Sequence, residues 1–449
     1  RLILYSEPNI MKLFLCLTLF FLASLRSSSA SGNGLRHGLV ERFLRYVVID
    51  TQAKEGVEKI PSTPGQRELA NVLCQELTEL GLLNVRVDDQ GYVYATLPAS
   101  KGLANPSSVP AVGFIAHLDT SDAVAETRIK PYIVESYSGG DIPLPANALR
   151  TITVAKNPDL HEMIGDTIIA SDGTSILGGD DKAGIAEIVT AIEFLTAHPE
   201  ILHGTVQIAF TPDEEVGKGA EKFDVKAFGA FFAYTVDGGE EGELNDETFN
   251  AASTVATFRG KSSHPGSAKG QMINSLYAAS HFLGQIPNAE RPETTEGRDG
   301  FFHPYEVKGG EEETVVRLLL RDFEESGLED RKQRIREIAR QTGERFPEVG
   351  IQVEITDSYR NMRMVLKDVP HLIEIASEAM RRARVQAKYQ PIRGGTDGAA
   401  FSFMGLPCAN IFTGVHNEHS QEEWVPVGTM TKAVETIVQI VRITAERCW

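Results

Sequence analysis

Four short stretches of the chain are almost continuously apolar, the pattern typical of strands buried on both faces of a sheet. They are residues 111–116, 206–210, 231–236 and 409–412. Between the first two lies a segment, about residues 182–197, whose apolar residues run nearly all round a helix. Buried strands that alternate with helices predict an α/β domain with a mostly parallel sheet.

A further helix is predicted before these strands. Thr63 is placed as its N-cap, Pro64 lies in its first turn and Gln66 occupies a capping-box position. Leucines at helical spacing continue the pattern until Gly81, where the helix should end.

The stretch from about residue 250 to 362 has a different pattern. Strand-like and helix-like segments alternate in it at 254–258, 272–286, 314–321, 329–346 and 351–355. An alternation of this size predicts an α+β module inserted into the α/β domain.

Polar residues follow the buried strands at the points where the strands should end. The first strand leads to His117 and Asp119, the second to Asp213, Glu214 and Glu215, the third to Asp237, the fourth to a loop with His416 and His419, and Asp180 and Asp181 begin the buried helix. Ligands of open α/β sheets bind beyond the carboxyl ends of the strands. We therefore expect these side chains to converge.

Imidazole and carboxylate groups without thiolates suit divalent zinc, with manganese or cobalt as alternatives. A carboxylate placed between two such ions can bridge them, and the ions can activate a water molecule. The adjacent pair Glu214 and Glu215 offers one carboxylate for a metal and one for proton transfer.

Each of these residues also has a purely structural explanation. His117 would be a satisfied histidine at a strand end, Asp180 and Asp181 would cap a helix, residues 213–215 would form a solvated loop, and Asp237 would lie in a turn. Spacing alone does not rank His416 against His419. These explanations do not account for the common position at strand ends.

The composition is that of a globular protein of 449 residues, with 62 acidic and 44 basic residues and a formal charge of -18. This charge argues against nucleic-acid binding, which needs a basic surface. The four cysteines, Cys16, Cys74, Cys408 and Cys448, include no CxxC pair, which argues against a thiolate zinc site. Cys16 lies in an apolar amino-terminal segment, and the other three are an odd number, which argues against a disulfide framework.

Residues 1–30 are predicted to be a leader. An apolar run from Leu13 to Leu25 follows Lys12, and Ser28 and Ala30 have the small side chains of a cleavage site. This pattern predicts a secretory signal peptide, and hence secretion without membrane attachment once the leader is removed. A transit peptide, or residues before Met11 that are not translated, are the alternatives.

At the level of whole motifs, the chain from about residue 39 to 447 resembles the M20 family of two-metal peptidases. The motifs are HLDTS at 117–121, LGGDDKAGIAEI at 177–188, AFTPDEEVGKGA at 209–220, YTVDGG at 234–239, HPGSAKG at 264–270, RDF at 321–323, PIRGGTDGA at 391–399 and FMGLPCANIFTG at 403–414. As a set these motifs are highly specific.

The resemblance implies two divalent metal ions, expected to be Zn²⁺, and a role for each of seven residues. His117 and Asp237 would bind one metal, Glu215 and His419 the other, Asp180 would bridge both, Glu214 would be the general base, and Asp119 would orient His117. It also implies a cis peptide between Asp180 and Asp181.

Four further residues resemble substrate contacts of the family: His264, Asn274, Arg321 and Arg393. A histidine that stabilises an oxyanion and an arginine that binds a carboxylate are physically sensible. As structural alternatives, His264 would be a turn residue and Arg321 would pair with a carboxylate of the inserted module.

The family fold implies a catalytic domain in two parts, residues 36–249 and 363–449, interrupted by a lid or dimerisation domain at 250–362 that would support a homodimer. The implied activity is that of a metalloaminopeptidase that releases the first residue of short peptides, expected to be tripeptides, with metal-activated water. A dipeptidase, carboxypeptidase or aminoacylase of the same family, or a non-catalytic peptide-binding relative, are the alternatives. The chain departs from the family at Glu422, where a further histidine can stand, and in its leader, because the family is usually cytoplasmic.

Overall fold

A computed structural model describes residues 32–447 of the chain. The predicted leader at 1–30, together with Cys16 and Cys448, lies outside these residues. Cys74 and Cys408 are free thiols. No helix between residues 32 and 447 has the length and apolar character needed to cross a membrane.

The helices and strands are numbered here in chain order. The α-helices are α1 Gly32–Val47, α2 Pro64–Glu79, α3 Gly179–Ala197, α4 Val225–Phe228, α5 Ser275–Gly284, α6 Glu325–Arg345, α7 Arg363–Leu366, α8 Pro370–Arg382, α9 Asp397–Phe403 and α10 Val427–Glu446. The strands are β1 Leu83–Val87, β2 Val93–Leu97, β3 Val112–His117, β4 Pro131–Val134, β5 Ile142–Pro143, β6 Thr151–Ile152, β7 Ile168–Ser171, β8 Val206–Thr211, β9 Phe232–Gly238, β10 Glu243–Asn245, β11 Asn250–Arg259, β12 Phe301–Gly309, β13 Glu313–Asp322, β14 Gly350–Tyr359, β15 Lys388–Tyr389, β16 Cys408–Phe412 and β17 Trp424–Pro426. Short 3₁₀ turns lie at Pro106–Ser108, Pro158–His161, Pro265–Ser267 and Pro292–Thr294.

The main sheet has eight strands in the order β1-β2-β8-β3-β9-β16-β10-β15. Its centre consists of β8, β3, β9 and β16, which pair in parallel. These are the four strands predicted from the continuous apolar runs. The α/β class and the mostly parallel sheet are therefore confirmed.

Helix α3 is buried because other elements cover it on several sides. It packs on β3 and β9 of the sheet, and α1 and α10 cover it from outside. Residues on different faces of the helix, including Ile185, Ala186 and Ala191, are fully buried. This explains why its sequence is apolar on every face.

The inserted segment forms an antiparallel sheet in the order β12-β13-β11-β14, on which α5 and α6 pack. It has its own hydrophobic core, which includes Phe258, Phe282 and Ile335. Strand β12 was not predicted. It is an edge strand that contains Pro304 and an irregular register, and such strands lack the apolar signature of buried ones. The domain boundaries at 250 and 362 stay a prediction.

Two features differ from the sequence-based expectations. A three-stranded sheet, β17-β7-β4, and a strand pair, β5 and β6, form a small layer that was not predicted. Thr63 is the N-cap of α2 as predicted, but its side chain makes no capping hydrogen bond. Gln66 instead exchanges hydrogen bonds with Asp213, at 2.7 Å to its carboxylate and 3.1 Å from its backbone N–H.

Candidate functional site

The carboxyl ends of the four central strands meet at one edge of the main sheet, and the predicted polar residues lie there. His117 is the last residue of β3, and Asp237 is close to the end of β9. Glu215 follows β8, and His419 lies in the loop after β16. Asp180 reaches the same place from the first turn of α3. Parallel pairing brings these ends together, because all four strands run in the same direction.

Asp180 lies between two histidines. Its Oδ1 is 2.8 Å from Nε2 of His117, and its Oδ2 is 3.1 Å from Nε2 of His419. Burial alone would raise the pKa of Asp180, but hydrogen bonds to the two imidazoles hold it below its ordinary value. The peptide bond to Asp181 is cis. The two oxygens of one carboxylate therefore face two different imidazoles.

Further carboxylates complete both sides of Asp180. Nε2 of His117 is 3.5 Å from Oδ1 of Asp237, and Nε2 of His419 is 3.0 Å from Oε2 of Glu215. Burial by itself would lower the pKa of His117, but hydrogen bonds to the surrounding carboxylates raise it well above its usual value. The structure thus brings together all five residues predicted as metal ligands.

Asp119 connects the histidine with the pair of glutamates. Its backbone carbonyl lies 3.1 Å from Nδ1 of His117, on the ring side opposite Asp180. Its carboxylate accepts the backbone N–H groups of Glu214 and Glu215, each at 3.0 Å. Asp119 is fully buried. It therefore orients the ring and positions the backbone of the glutamates together.

Glu214 and Glu215 differ in their surroundings although they are neighbours. The Glu214 carboxylate makes no hydrogen bond or ion pair within the described chain, and burial raises its pKa well above the usual value. Burial and the charge of Asp180 raise the pKa of Glu215 to about 7. Oε1 of Glu215 is buried without a hydrogen-bond partner, while Oε2 faces His419.

This donor set fits divalent metal ions. Ligand atoms of His117, Asp180 and Glu215 lie within 4.8 Å of one another, and so do those of His117, Asp181 and Asp237. Several buried carboxylates in close contact repel one another unless cations compensate them. The unpartnered oxygen of Glu215 is a group that a cation would satisfy. Imidazole nitrogen and carboxylate oxygen suit zinc and similar metals.

Glu423 supports the cluster and was missed in the sequence. Its buried carboxylate accepts the backbone N–H groups of Leu177, Gly178 and Asp180 at 2.7, 2.9 and 3.2 Å. It thereby holds the loop that delivers Asp180. A glutamate that lies far along the chain from a glycine-rich loop has no local pattern that would reveal this contact.

A cavity of about 260 Å³ opens onto the cluster, and its lining includes Asp180, Glu214, Gly395 and His419. Tyr359, at the end of β14 in the inserted module, packs against Gly395 in this lining. The two are so close that a Cβ atom added to Gly395 would lie 2.7 Å from the Tyr359 ring. Tyr359 was also missed in the sequence.

Arg321 lies over the Tyr359 ring, with its guanidinium carbon 4.7 Å from the ring centroid. Nη1 of Arg321 and the hydroxyl of Tyr359 are both buried without a hydrogen-bond partner. Burial raises the pKa of Tyr359 to about 12, and the charge of Glu214 acts in the same direction. Arg321 and Tyr359 thus contact each other and each keeps one unsatisfied polar group.

The other three predicted substrate contacts have structural partners. The exposed His264 accepts the N–H of Gly266 at 3.1 Å, and Asn274 caps α5 by accepting the N–H of Leu276 at 3.0 Å. Arg393 donates to the carbonyls of Gly297 and Asp299 at 2.7 and 2.9 Å. Within residues 32–447, no hydrogen bond or ion pair joins these three side chains to the cluster.

Comparison with known proteins gives an independent result. Proteins named peptidase T are similar to this chain along nearly their whole length. That of Desulfitobacterium hafniense strain Y51 is 48% identical over 408 residues, which cover 91% of this chain and 98% of that protein. That of Salmonella newport strain SL254 is 48% identical over 410 residues, which cover 91% and 99%.

Solved structures show the same fold. The aminopeptidase PepT of Bacillus cereus ATCC 10987 aligns with a TM-score of 0.70 at 24% identity, covering 92% of this chain and 99% of that one. A tripeptidase of Staphylococcus aureus aligns with a TM-score of 0.73 at 20% identity and the same coverage. A dinuclear metal binding peptidase of Bacillus subtilis aligns with a TM-score of 0.61 at 14% identity.

The model of peptidase family M20/M25/M40 matches residues 178–443, more than half of the chain. This segment contains Asp180, Glu215, Asp237 and His419, which lie around one cluster in the structure. The chain belongs to peptidase family M20/M25/M40.

Proposed function

We propose that this chain is a metalloaminopeptidase that releases the first residue of tripeptides. The similarity to proteins named peptidase T, and to structures named aminopeptidase and tripeptidase, supports this substrate class. One observation carries the proposal most directly. The two oxygens of Asp180 face His117 and His419, while the neighbouring Glu214 carboxylate is free of such contacts.

The metal ions are proposed to be two Zn²⁺. His117 and Asp237 would hold one ion, Glu215 and His419 the other, and Asp180 would contact both. When bound, such ions act as Lewis acids that polarise a carbonyl and lower the pKa of a water molecule. The imidazole and carboxylate donors, without thiolates, support zinc, manganese or cobalt, and metal analysis of the purified protein would identify the ion.

Glu214 is the proposed general base. Its carboxylate would take a proton from the attacking water and pass it to the amine that leaves when the first peptide bond breaks. Burial in the cleft favours this role, because it raises the pKa of Glu214 and makes proton uptake easier. Asp119 keeps the Glu214 backbone in place and orients His117, so it is a positioning residue.

Arg321 is proposed to bind the carboxylate of the peptide. Its buried Nη1 has no partner, and a substrate carboxylate would supply one. His264 as an oxyanion donor, and Asn274 and Arg393 as substrate contacts, also stay proposals. Each of these three has the structural role described above.

We also propose how the parts of the chain are organised. Residues 36–249 and 363–449 would form the catalytic domain and 250–362 a lid. A homodimer through the lid is supported by Tyr305 and Val307, which are 53% and 52% exposed on the edge strand β12. Secretion rests on the leader pattern alone, and sequencing of the mature amino terminus would test it.

Hydrolysis of a peptide panel tests the activity. The purified protein would be given dipeptides, tripeptides, tetrapeptides and N-acetylated tripeptides, before and after metal removal with a chelator and again after addition of Zn²⁺, Mn²⁺ or Co²⁺. We expect cleavage of free tripeptides that disappears with the metal and returns with it. Equal cleavage of the N-acetylated tripeptide would reject an aminopeptidase, and cleavage that survives metal removal would reject the two-metal site.

A further inference from the structure

A second group of metal-ligand side chains lies outside the site described above. Asp159, Glu240 and His416 each place one ligand atom within 4.8 Å of the others. They come from three separate parts of the fold: the 3₁₀ turn Pro158–His161, the loop after β9 and the loop after β16. All three line one cavity of about 470 Å³. We call this group the outer cluster.

His416 is the informative member of the outer cluster. It is only 8% exposed, and its ring nitrogens make no hydrogen bond with any residue in the described part of the chain. Burial lowers its pKa to about 4, so the imidazole is neutral near pH 7 and has a free lone pair. Because His416 lines the cavity and its ring nitrogens have no protein partner there, a ligand in the cavity could bind one of them.

The surrounding residues hold this ring in one orientation. It stacks on Trp424, with centroids 4.0 Å apart and an angle of 4° between the planes. Nε1 of Trp424 donates to Oδ1 of Asn157 at 3.2 Å, and Nδ2 of Asn417 donates to the same oxygen at 2.9 Å. Asn157 stands two residues before Asp159. This network therefore links the residue that stacks on the imidazole to the chain segment that carries Asp159.

The two carboxylates of the outer cluster have capacity left for a ligand. The Asp159 carboxylate has no hydrogen bond or ion pair within residues 32–447. Oε2 of Glu240 lies 3.6 Å from Nζ of Lys388, and both side chains of this pair are well exposed. Such surface pairs contribute little free energy, so Glu240 could turn to a cation at small cost.

We infer that Asp159, Glu240 and His416 form a further divalent-cation site, separate from the two-metal cluster and of the class that takes Zn²⁺, Mn²⁺ or Co²⁺. One imidazole and two carboxylates are a donor set that suits these ions, and the cavity leaves space for water ligands. The ion would be structural. Glu240 lies three residues after Asp237, and His416 lies three residues before His419. A cation there would tie together the two loops that carry these catalytic ligands.

Zinc stoichiometry and anomalous diffraction test this inference. Tag-free protein would be loaded with Zn²⁺ and analysed by mass spectrometry of the metal, and crystals would be measured at the zinc edge. We expect an anomalous peak within the outer cluster, and one bound equivalent fewer in His416→Phe, which preserves stacking on Trp424 but removes both nitrogens. The matched control is Glu422→Gln, in the same loop but outside the cluster, which should keep every equivalent.

Asp159→Asn is the second variant, to be used if His416→Phe does not fold. It too should lose one equivalent and the peak in the outer cluster, while the peaks at the two-metal cluster remain. The inference is overturned if the unchanged protein shows no peak there, or if both variants bind as much zinc as the unchanged protein. The peaks at the two clusters are separate, so this result does not depend on the proposed peptidase activity.

Discussion

The carboxylate of Asp119 accepts the backbone N–H of Glu214 at 3.0 Å. The same carboxylate accepts the N–H of Glu215, and the carbonyl of the same residue contacts the ring of His117. One buried residue thus contacts the proposed base Glu214 and two proposed metal ligands, Glu215 through its side chain and His117 through its backbone carbonyl. The relative placement of the base and the metal ligands therefore depends on Asp119.

Asp119→Asn tests this dependence. The asparagine amide keeps only one acceptor oxygen in place of two. Its NH₂ group would face a backbone N–H, and that N–H would lose the hydrogen bond that it makes to the aspartate. We expect kcat/KM for a tripeptide or zinc affinity to fall roughly 10- to 100-fold. Steady-state kinetics and zinc titration would measure this. Asp122→Asn, an exposed neighbour, is the control and should match the unchanged protein. If Asp119→Asn keeps both kcat/KM and zinc affinity within a factor of about two of the unchanged protein, Asp119 does not have this role.

Glu214→Gln tests the general base. The amide has nearly the same shape but cannot take up a proton, and the proposed metal ligands are untouched. We expect kcat to fall by about 10²- to 10⁴-fold with bound zinc unchanged. Kinetics and metal analysis of the same preparation would show both. Glu221→Gln, an exposed residue nearby, should behave like the unchanged protein. Normal turnover in Glu214→Gln would require another base.

Arg321→Gln tests recognition of the peptide carboxylate. Loss of a hydrogen bond to a charged group costs about 1.5–3 kcal/mol, which corresponds to a roughly 10- to 100-fold rise in KM for a tripeptide. A tripeptide amide lacks the carboxylate, so its KM should change little. Arg317→Gln, on the same strand but exposed, is the control. If Arg321→Gln affects the acid and the amide equally, Arg321 does not bind this group.

Glu76→Gln tests an ion-pair network remote from the site. Glu76 accepts hydrogen bonds from Arg42, Arg45 and Tyr46 at 2.7, 2.8 and 2.6 Å. Burial by itself would raise the pKa of Glu76, but these partners bring it below 4.5. A carboxylate with a lowered pKa stabilises the fold above its unfolded pKa, and this stabilisation is lost as the pH falls through the folded pKa.

We therefore expect Glu76→Gln to reduce the free energy of unfolding by about 1–3 kcal/mol near neutral pH, with a smaller difference at about pH 3. Urea unfolding of metal-free protein at both pH values would measure it, since removing the metal keeps metal release out of the comparison. Glu79→Gln, exposed on the same helix, is the control. A difference that grows in acid would have the wrong sign and would reject the network.

Much of the fold could be predicted from local sequence patterns. Strands buried on both faces must be apolar along their length, and this predicted β3, β8, β9 and β16 from the sequence alone. Edge strands and short accessory strands carry no such requirement. For that reason β12, with Pro304 within it, was not predicted.

The residues that position the site were harder to predict from the sequence. Glu423 accepts the backbone N–H of Asp180, which lies 243 residues earlier in the chain. Tyr359 approaches Gly395 only because the inserted module folds back toward the main sheet. Neither side chain belongs to a local pattern, and both depend on how distant segments pack.

Local patterns were sufficient to identify the buried strands and the polar residues that follow them, because burial and strand ends impose local requirements on residue type. Spacing alone did not rank the two histidines of the last loop and only the resemblance to the family favoured His419, so which of them faces Asp180 is a property of the folded loop. His419 does so, with a backbone φ of 59°, while His416 stacks on Trp424. Both lie within the same few residues, so the choice follows from the path of the loop over the folded protein.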